Sequence, residues 1–245
     1  MPGLPSGPMV LVTRPDPDGA ELAADLAALG YSPVVSPLMR IDYHDQPLDL
    51  SGLQAVAFTS ANGVRAFCRC ADVRDLPVFA VGDATARLAM DMGFQRVAVA
   101  GGDVDALAAL IAETAAPASG AIFHGTGSHV AGDLAGQLTK AGFAVVSKKL
   151  YTATAEDRLT SEARQALARR TIGAVMLFSP RTANVFQEIV RREGLEQALR
   201  QTVAICMSQN VATAIKSLPF RAVHVSSAPT KAEVLEALEN SVPPA

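Results

Sequence analysis

The sequence has no tryptophan, and only 5% of its 245 residues are aromatic. Proteins that bind single-stranded nucleic acids usually stack the bases on aromatic side chains, so this composition disfavours such a ligand. The formal net charge of −3 also provides no basic surface for a phosphate backbone. We therefore expect no nucleic-acid partner.

Cysteine is scarce as well. The three residues Cys68, Cys70 and Cys206 are too few, and odd in number, for a disulfide framework. No second Cys or His pair lies near Cys68 and Cys70, and His124 and His129 have no partner cluster, so a metal site is disfavoured. We expect buried or partly buried free thiols and no bound metal.

Long hydrophobic runs are missing too. No stretch is long and apolar enough for a membrane helix, and the first nine residues lack the charged and apolar regions of a secretion signal. Because 49% of the residues are hydrophobic and 18% are charged, the composition favours folded cores over disorder. We expect a cytoplasmic protein without membrane contact.

What the sequence does contain is a repeated alternation of short apolar runs and helical segments. Leu22, Leu26 and Leu29 are spaced to lie on one face of a helix, and Gly30 is expected to cap it. Such alternation is typical of parallel sheets with helices on both faces. The predicted strands lie at 10–13, 33–36, 55–59, 78–82, 96–100, 121–124, 144–148, 174–179, 203–207 and 222–226.

An internal repeat groups these strands into four units in the order A, B, A′, B′. Residues 19–34 match residues 131–146 at a constant offset of 112, and Ser60 and Phe67 correspond to Ser179 and Phe186. Each A unit has two predicted strands and each B unit has three. The repeat therefore predicts two five-stranded parallel sheets.

The repeat leaves open which A unit pairs with which B unit. Two sequential lobes would form in one case, whereas in the other A joins B′ and the middle of the chain is an inserted lobe. Residues 38–43 and 148–154 favour the second case, because each extends directly from the second strand of an A unit. The predicted domains are then 1–37 plus 155–245 for the discontinuous lobe and 44–147 for the inserted lobe. Residues 38–43 and 148–154 are the predicted linker strands.

Small polar residues follow most of the predicted strands. Ligands of open parallel sheets bind at the carboxyl ends of strands, and exposed N–H groups at helix starts attract anions. Because ordinary helix capping uses the same residue types, the prediction of an anion site depends on the whole set. The candidate substrate-binding residues are Thr13, Arg14, Thr59, Ser60, Asn62, Gly82, Thr85, Gly102, Gly125, Ser179, Ser208 and Thr230.

No cofactor motif is complete. The segment from Gly125 to Gly127 resembles a dinucleotide-binding loop, but Val130 stands where the third glycine should be. There is no phosphate-binding loop of the Walker type and no nucleophile elbow, although a Ser/His/Asp triad stays open. We expect no cofactor.

Several motifs from about Met9 onward are those of a known family. The two most specific are Thr59-Ser60-Ala61-Asn62-Gly63 and Val81-Gly82-Asp83-Ala84-Thr85-Ala86. Further matching segments are Val12-Thr13-Arg14-Pro15, Gly132-Asp133-Leu134, Tyr151, Phe178-Ser179-Pro180 and Pro229-Thr230. On these motifs the chain resembles the uroporphyrinogen-III synthase family.

The resemblance implies an α/β fold of two flavodoxin-like parallel-sheet lobes, one of them discontinuous, joined by a two-stranded linker. It implies a lyase of haem biosynthesis that cyclises hydroxymethylbilane, a linear tetrapyrrole, to uroporphyrinogen III. Water is lost in this reaction and ring D is inverted. The resemblance implies no cofactor and no metal. It also implies a monomer, and a transient contact with hydroxymethylbilane synthase stays open.

The resemblance singles out Tyr151 as the candidate catalytic residue, because a tyrosine at this place is the family's usual candidate for assisting departure of the hydroxyl as a general acid. The alternative is a half-buried tyrosine that only packs where a linker strand enters a lobe. Thr85 and Thr230 are further candidate hydroxyls, and Arg14 and Arg181 are candidate partners of substrate carboxylates. The alternative function is a two-lobed cytosolic protein that binds an anionic small molecule without turnover.

Overall fold

The structure of the protein is a computed structural model that describes residues 7–129 and 132–244. The chain divides into two compact units. Unit 1 comprises Met1–Arg40 and Thr154–Ala245, and unit 2 comprises Ile41–Ala153. The finer domain and linker boundaries given above stay a prediction.

Strands and helices alternate along most of the described chain. The strands are β1 (Met9–Val12), β2 (Ser32–Val35), β3 (Met39–Tyr43), β4 (Leu53–Phe58), β5 (Val78–Ala80), β6 (Val97–Val99), β7 (Ala121–Gly127), β8 (Val145–Ala155), β9 (Ile172–Leu177), β10 (Val203–Cys206) and β11 (Ala222–Val225). The α-helices are α1 (Asp18–Ala28), α2 (Ala61–Cys70), α3 (Asp83–Asp91), α4 (Val104–Thr114), α5 (Leu134–Lys140), α6 (Ser161–Ala168), α7 (Pro180–Arg192), α8 (Gln209–Ala214) and α9 (Lys231–Ser241).

The sheet of unit 1 joins the beginning of the chain to its end. Its strand order is β11-β10-β9-β1-β2, and all neighbouring pairs are parallel. Numbered within the unit, this is the order 2-1-3-4-5 of flavodoxin-like folds. The A unit of the repeat therefore pairs with B′, which confirms the predicted discontinuous lobe.

The sheet of unit 2 has the order β3-β8-β7-β4-β5-β6. If the A′ strands β7 and β8 are counted before the B strands β4, β5 and β6, the five parallel strands again follow the order 2-1-3-4-5. The same spatial order in both sheets agrees with the internal repeat. It also confirms the flavodoxin-like character predicted for each sheet.

Both sheets contain the predicted five parallel strands, and in unit 2 the segment predicted as the linker strand 38–43 adds β3 beside β8 as a sixth strand. The N–H of His44 donates to the carbonyl of Leu150 at 2.8 Å, and the N–H of Glu156 donates to the carbonyl of Leu38 at 3.0 Å. Residue numbers rise along β3 as those of their partners fall along β8, so the two strands are antiparallel. Without β3, the long unbroken strand β8 would be an edge strand with unpaired backbone groups.

Helix α1 shows how the sequence pattern produces packing in unit 1. Leu22 and Leu26 are 1% and 0% exposed and pack in the core with Tyr31. Leu29, predicted for the same face, is 37% exposed. The helix ends at Ala28, and Gly30 takes a φ of 88° that turns the chain into β2, as expected for a glycine cap.

Four phenylalanines fix helix α2 on the sheet of unit 2. The ring of Phe67 on α2 lies 5.7 Å from that of Phe58, 6.1 Å from that of Phe94 and 5.5 Å from that of Phe123. All four side chains are 2% exposed or less. Because edge-to-face aromatic contacts are directional, this cluster sets the position of α2 and of the residues at its beginning.

Candidate functional site

The carboxyl end of β4 in unit 2 carries three of the predicted site residues. Thr59 and Ser60 follow the strand and are half-buried, and Asn62 lies in the first turn of α2. The Ser60 hydroxyl oxygen accepts a hydrogen bond from the N–H of Gly63 at 3.1 Å. Ser60 is therefore the N-cap of α2, and its oxygen is held at the positive end of the helix dipole.

Tyr151 reaches the same place from β8, two strands away. Its hydroxyl oxygen lies 2.9 Å from that of Ser60. To get there the ring crosses β7 above Gly127, which is its partner in the β7–β8 register. A Cβ on Gly127 would lie 2.5 Å from the ring atoms Cε2 and Cζ. The absence of a side chain at position 127 is what lets the phenol reach Ser60.

Tyr43 forms the other side of this cluster. Its ring centroid lies 6.4 Å from that of Tyr151, and its hydroxyl donates to the amide oxygen of Asn62 at 3.1 Å. Arg65 donates to the same oxygen at 3.3 Å. The carboxyl end of β4 thus carries two phenols, a serine hydroxyl and a guanidinium group. Tyr43 donates its single proton to Asn62, so donation to an anion or to a departing oxygen falls to Tyr151, Ser60 and Arg65.

A second arginine near Tyr43 is neutralised locally. The guanidinium group of Arg69 donates two hydrogen bonds of 2.8 Å to the carboxylate of Asp45 and lies 5.3 Å from the centroid of the Tyr43 ring. The hydrogen bonds from Arg69 lower the pKa of Asp45. This pair orients the Tyr43 ring and adds little net charge.

The other predicted residues of unit 2 are more dispersed. Gly82 is the N-cap of α3, Thr85 is buried in the first turn of that helix, and Gly102 is exposed just before α4. Gly125 does not follow β7 as predicted, because the strand continues to Gly127. A Cβ on Gly125 would lie 2.8 Å from the Leu150 side chain, so this glycine makes room for the core.

In unit 1, predicted residues meet at the carboxyl ends of β1 and β9. The hydroxyl of Thr13 is buried and donates to the carbonyl of Met176 at 2.7 Å, which ties the two strand ends together. Arg14 forms an ion pair with Asp18, and its guanidinium carbon lies 4.6 Å from the centroid of the Phe178 ring. Thr13 therefore links the two strand ends, and the guanidinium group of Arg14 lies at this end of the sheet with its charge paired to Asp18.

The remaining predicted residues of unit 1 begin helices. Ser179 accepts a hydrogen bond from the N–H of Thr182 at 3.1 Å, as Ser60 does at the corresponding position of the repeat. Thr230 caps α9. Ser208 precedes α8 without a capping hydrogen bond from its side chain. These positions surround the carboxyl ends of β9, β10 and β11.

Sequence reasoning missed Tyr43, Gly127 and Arg65. A signal for Tyr43 was available, because it is one of only three tyrosines and, like Tyr151, lies on a predicted linker strand. Gly127 was considered only as part of an incomplete loop motif. Its role depends on the pairing of β7 with β8, which the sequence does not display.

His124 on β7, which the sequence analysis considered only as a metal ligand, is a further buried polar residue. Its side chain is 2% exposed, and its Nε2 atom has no hydrogen-bond partner among the described residues. Burial lowers the pKa of His124 to about 4, because the charged imidazolium is poorly solvated in the core. His124 is therefore neutral at physiological pH.

Other chemistries find little support in residues 7–129 and 132–244. No group of three or more His, Cys, Asp or Glu side chains within them could hold a metal ion. The three cysteines are free thiols, with Cys206 buried and Cys68 and Cys70 half-buried, as predicted. No helix among the described residues is long and apolar enough to cross a membrane.

Comparisons with known proteins agree on one family. Residues 20–236 match the family model described as uroporphyrinogen-III synthase HemD. The sequence matches no curated protein. Two solved structures are similar in fold. The uroporphyrinogen-III synthetase of Helicobacter pylori has a TM-score of 0.62 at 18% identity, covering 95% of this chain and 98% of that one. A mutant uroporphyrinogen III synthase of Thermus thermophilus has a TM-score of 0.56 at 16% identity, covering 95% and 97%.

Proposed function

The chain belongs to the uroporphyrinogen-III synthase family, and on this premise we propose that Tyr151 and the groups around it bind and activate the substrate. As a member of this family it is a lyase of haem biosynthesis, which converts hydroxymethylbilane to uroporphyrinogen III with loss of water and inversion of ring D. The observation that carries the proposal is the Tyr151 hydroxyl, held 2.9 Å from Ser60 at the carboxyl end of β4.

Tyr151 is the proposed general acid. When the C–O bond of the substrate's hydroxymethyl group breaks, the phenol gives its proton to the departing oxygen, which leaves as water. The remaining azafulvene is cationic, and the negative phenolate oxygen left on Tyr151 balances its charge. Hydroxymethylbilane also cyclises unaided to the wrong isomer, so the protein must hold the last ring in the geometry of the inverted product.

Carboxylate recognition is proposed for the strand ends that begin helices. The N–H groups in the first turn of α2, beside Thr59, Ser60 and Asn62, lie at the positive end of a helix dipole, and Arg65 adds a charged donor. Arg14 offers a second guanidinium group in unit 1. Further proposed contacts with acetate and propionate groups are at Gly82, Thr85, Gly102, Ser179, Arg181, Ser208 and Thr230.

The cellular setting is proposed on the same premise. The enzyme acts in the cytoplasm as a monomer. Because hydroxymethylbilane cyclises spontaneously, a transient contact with hydroxymethylbilane synthase would shorten the time that the substrate spends free in solution. Analytical ultracentrifugation of the protein, alone and mixed with that enzyme, tests both the monomeric state and the contact.

A coupled assay tests the activity. Porphobilinogen is supplied to hydroxymethylbilane synthase with and without this protein, the products are oxidised, and the type I and type III isomers are separated. We expect predominantly type III when the protein is present and type I when it is absent. Type I alone, in the presence of protein shown to be folded by circular dichroism, would contradict the activity.

Substitution of Gly127 tests the position of Tyr151. An alanine Cβ would lie 2.5 Å from two ring atoms, so the ring must retreat by about 1 Å to reach ordinary van der Waals separation. Displacement of a catalytic group by this distance is costly, and we expect Gly127→Ala to lower kcat about tenfold. The control is Gly173→Ala in β9, where an added Cβ has no neighbour closer than 3.5 Å. Equal kcat values for the two variants would contradict the prediction.

A further inference from the structure

We propose that Ser60 is a positioning residue for the reaction, which connects the N-terminus of α2 to the Tyr151 hydroxyl and stabilises that oxygen as it gives up its proton. This inference rests on the proposed role of Tyr151 as the general acid. It assigns to Ser60 a task beyond helix capping and beyond contact with substrate carboxylates.

The hydrogen bond from Gly63 leaves the Ser60 proton available for donation to Tyr151. The Ser60 oxygen accepts from the N–H of Gly63 at 3.1 Å and lies 2.9 Å from the Tyr151 oxygen. A serine hydroxyl has a single proton to donate. If Ser60 donates it to Tyr151, the phenol keeps its own proton for another acceptor. That acceptor is the departing hydroxyl of the substrate.

Proton transfer makes this contact stronger. As the phenol loses its proton, the Tyr151 oxygen becomes negative, and hydrogen bonds to charged oxygens are shorter and stronger than neutral ones. The N–H of Gly63 polarises Ser60 in the same direction, because it belongs to the positive end of α2. Stabilisation that grows along the reaction lowers the barrier of the chemical step, so it acts on kcat more than on KM.

The surroundings hold both oxygens in place. Gly127 allows the Tyr151 ring to lie against β7, and the Tyr43 ring packs beside it at 6.4 Å. Gly63 brings the first turn of α2 close to the same strand, since a Cβ there would lie 3.2 Å from the carbonyl oxygen of Gly125. The contact between Ser60 and Tyr151 is therefore built into the backbone geometry on both sides.

The first measurement is kcat and KM of Ser60→Ala. Loss of one hydrogen bond to a developing charge corresponds to a fall in kcat of about tenfold, with KM within about twofold. Ser60→Thr keeps the hydroxyl and is expected to restore kcat to within about threefold. Asp103→Ala is the control for the loss of a helix cap. Asp103 caps α4 in the same unit through two hydrogen bonds of 3.0 Å, and its loss should lower the melting temperature without lowering kcat.

Ser60→Asp keeps the measurement decisive even if Ser60→Ala does not fold. Aspartate is a good N-cap and is favoured at a helix N-terminus, so α2 should remain stable. An ionised carboxylate, however, has no proton to donate and repels a negative phenolate. We expect kcat to fall at least tenfold at an unchanged melting temperature. Unchanged kcat in this variant would overturn the inference.

A double-mutant cycle with Tyr151→Phe tests whether Ser60 acts through Tyr151 or independently of it. If Ser60 acts through Tyr151, Ser60→Ala should lower kcat by less than about twofold in the Tyr151→Phe background. An equal fall in both backgrounds would show that Ser60 acts independently, and would overturn the inference while leaving Tyr151 as the acid. If Tyr151→Phe itself retains full kcat, the acid role of Tyr151 fails, and the inference fails with it.

Discussion

Replacement of Tyr151 by phenylalanine is expected to lower kcat about a hundredfold, at the lower end of the range for general acids because a phenol is a modest one. The variant keeps the ring that packs against Gly127 and Tyr43 and loses only the hydroxyl. KM should therefore change by less than about twofold, because the shape of the site is preserved.

The measurement is the initial rate of type III isomer formation, at several concentrations of hydroxymethylbilane generated immediately before use. Tyr31→Phe is a matched control, because it removes a tyrosine hydroxyl whose hydrogen bond is to the carbonyl of Val242 at 2.8 Å in unit 1. Its kcat should equal that of the unmodified protein. A loss of less than tenfold in Tyr151→Phe would exclude Tyr151 as an essential acid and leave it a packing role.

The arrangement of the fold was predictable because the chain repeats itself. A constant offset between two segments that each contain two strands identified the A units. The extended residues that follow them then favoured pairing of A with B′, as β1 and β9 show. The lengths of β7 and β8 were not predictable in this way. Gly125 and Gly127 make the sequence of β7 resemble a loop. In the structure they belong to the strand, where a larger residue would collide with Leu150 or Tyr151.

The site was predictable only as a collection of residue types. Ser60 was expected at a strand end and Tyr151 was named from the resemblance, but nothing in the sequence indicated that their hydroxyls meet. The two residues are 91 positions apart, and the contact depends on the strand order β8-β7-β4 and on Gly127 in between. Tertiary register of this kind has no local sequence signal.

Acidification is expected to destabilise unit 2 through His124. Its pKa is lowered to about 4 in the folded protein and returns to about 6.5 on unfolding, so the unfolded chain binds more protons between these values. The contribution of His124 to stability is therefore complete above pH 6.5 and is lost as the pH falls toward 4. The shift corresponds to a loss of about 3 kcal/mol in the free energy of unfolding.

Urea denaturation from about pH 7 to pH 4 tests this expectation. His124→Leu replaces the imidazole with an apolar side chain and removes the Nε2 atom, which has no hydrogen-bond partner within the part of the chain that the structure describes. On acidification, the free energy of unfolding of this variant should fall by up to about 3 kcal/mol less than that of the unmodified protein. His224→Gln is the control, because His224 on β11 is exposed and should leave the pH dependence unchanged.

The composition of the chain lets the experiment report on unit 2 alone. There is no tryptophan and there are three tyrosines, so fluorescence on excitation in the near ultraviolet comes from tyrosine. In a Tyr31→Phe background the remaining tyrosines, Tyr43 and Tyr151, both lie in unit 2, as His124 does. The urea midpoint of this fluorescence transition is compared with and without His124→Leu. If it shifts equally with pH in both cases, groups other than His124 cause the acid sensitivity. A shift that disappears with His124→Leu would assign it to the buried imidazole.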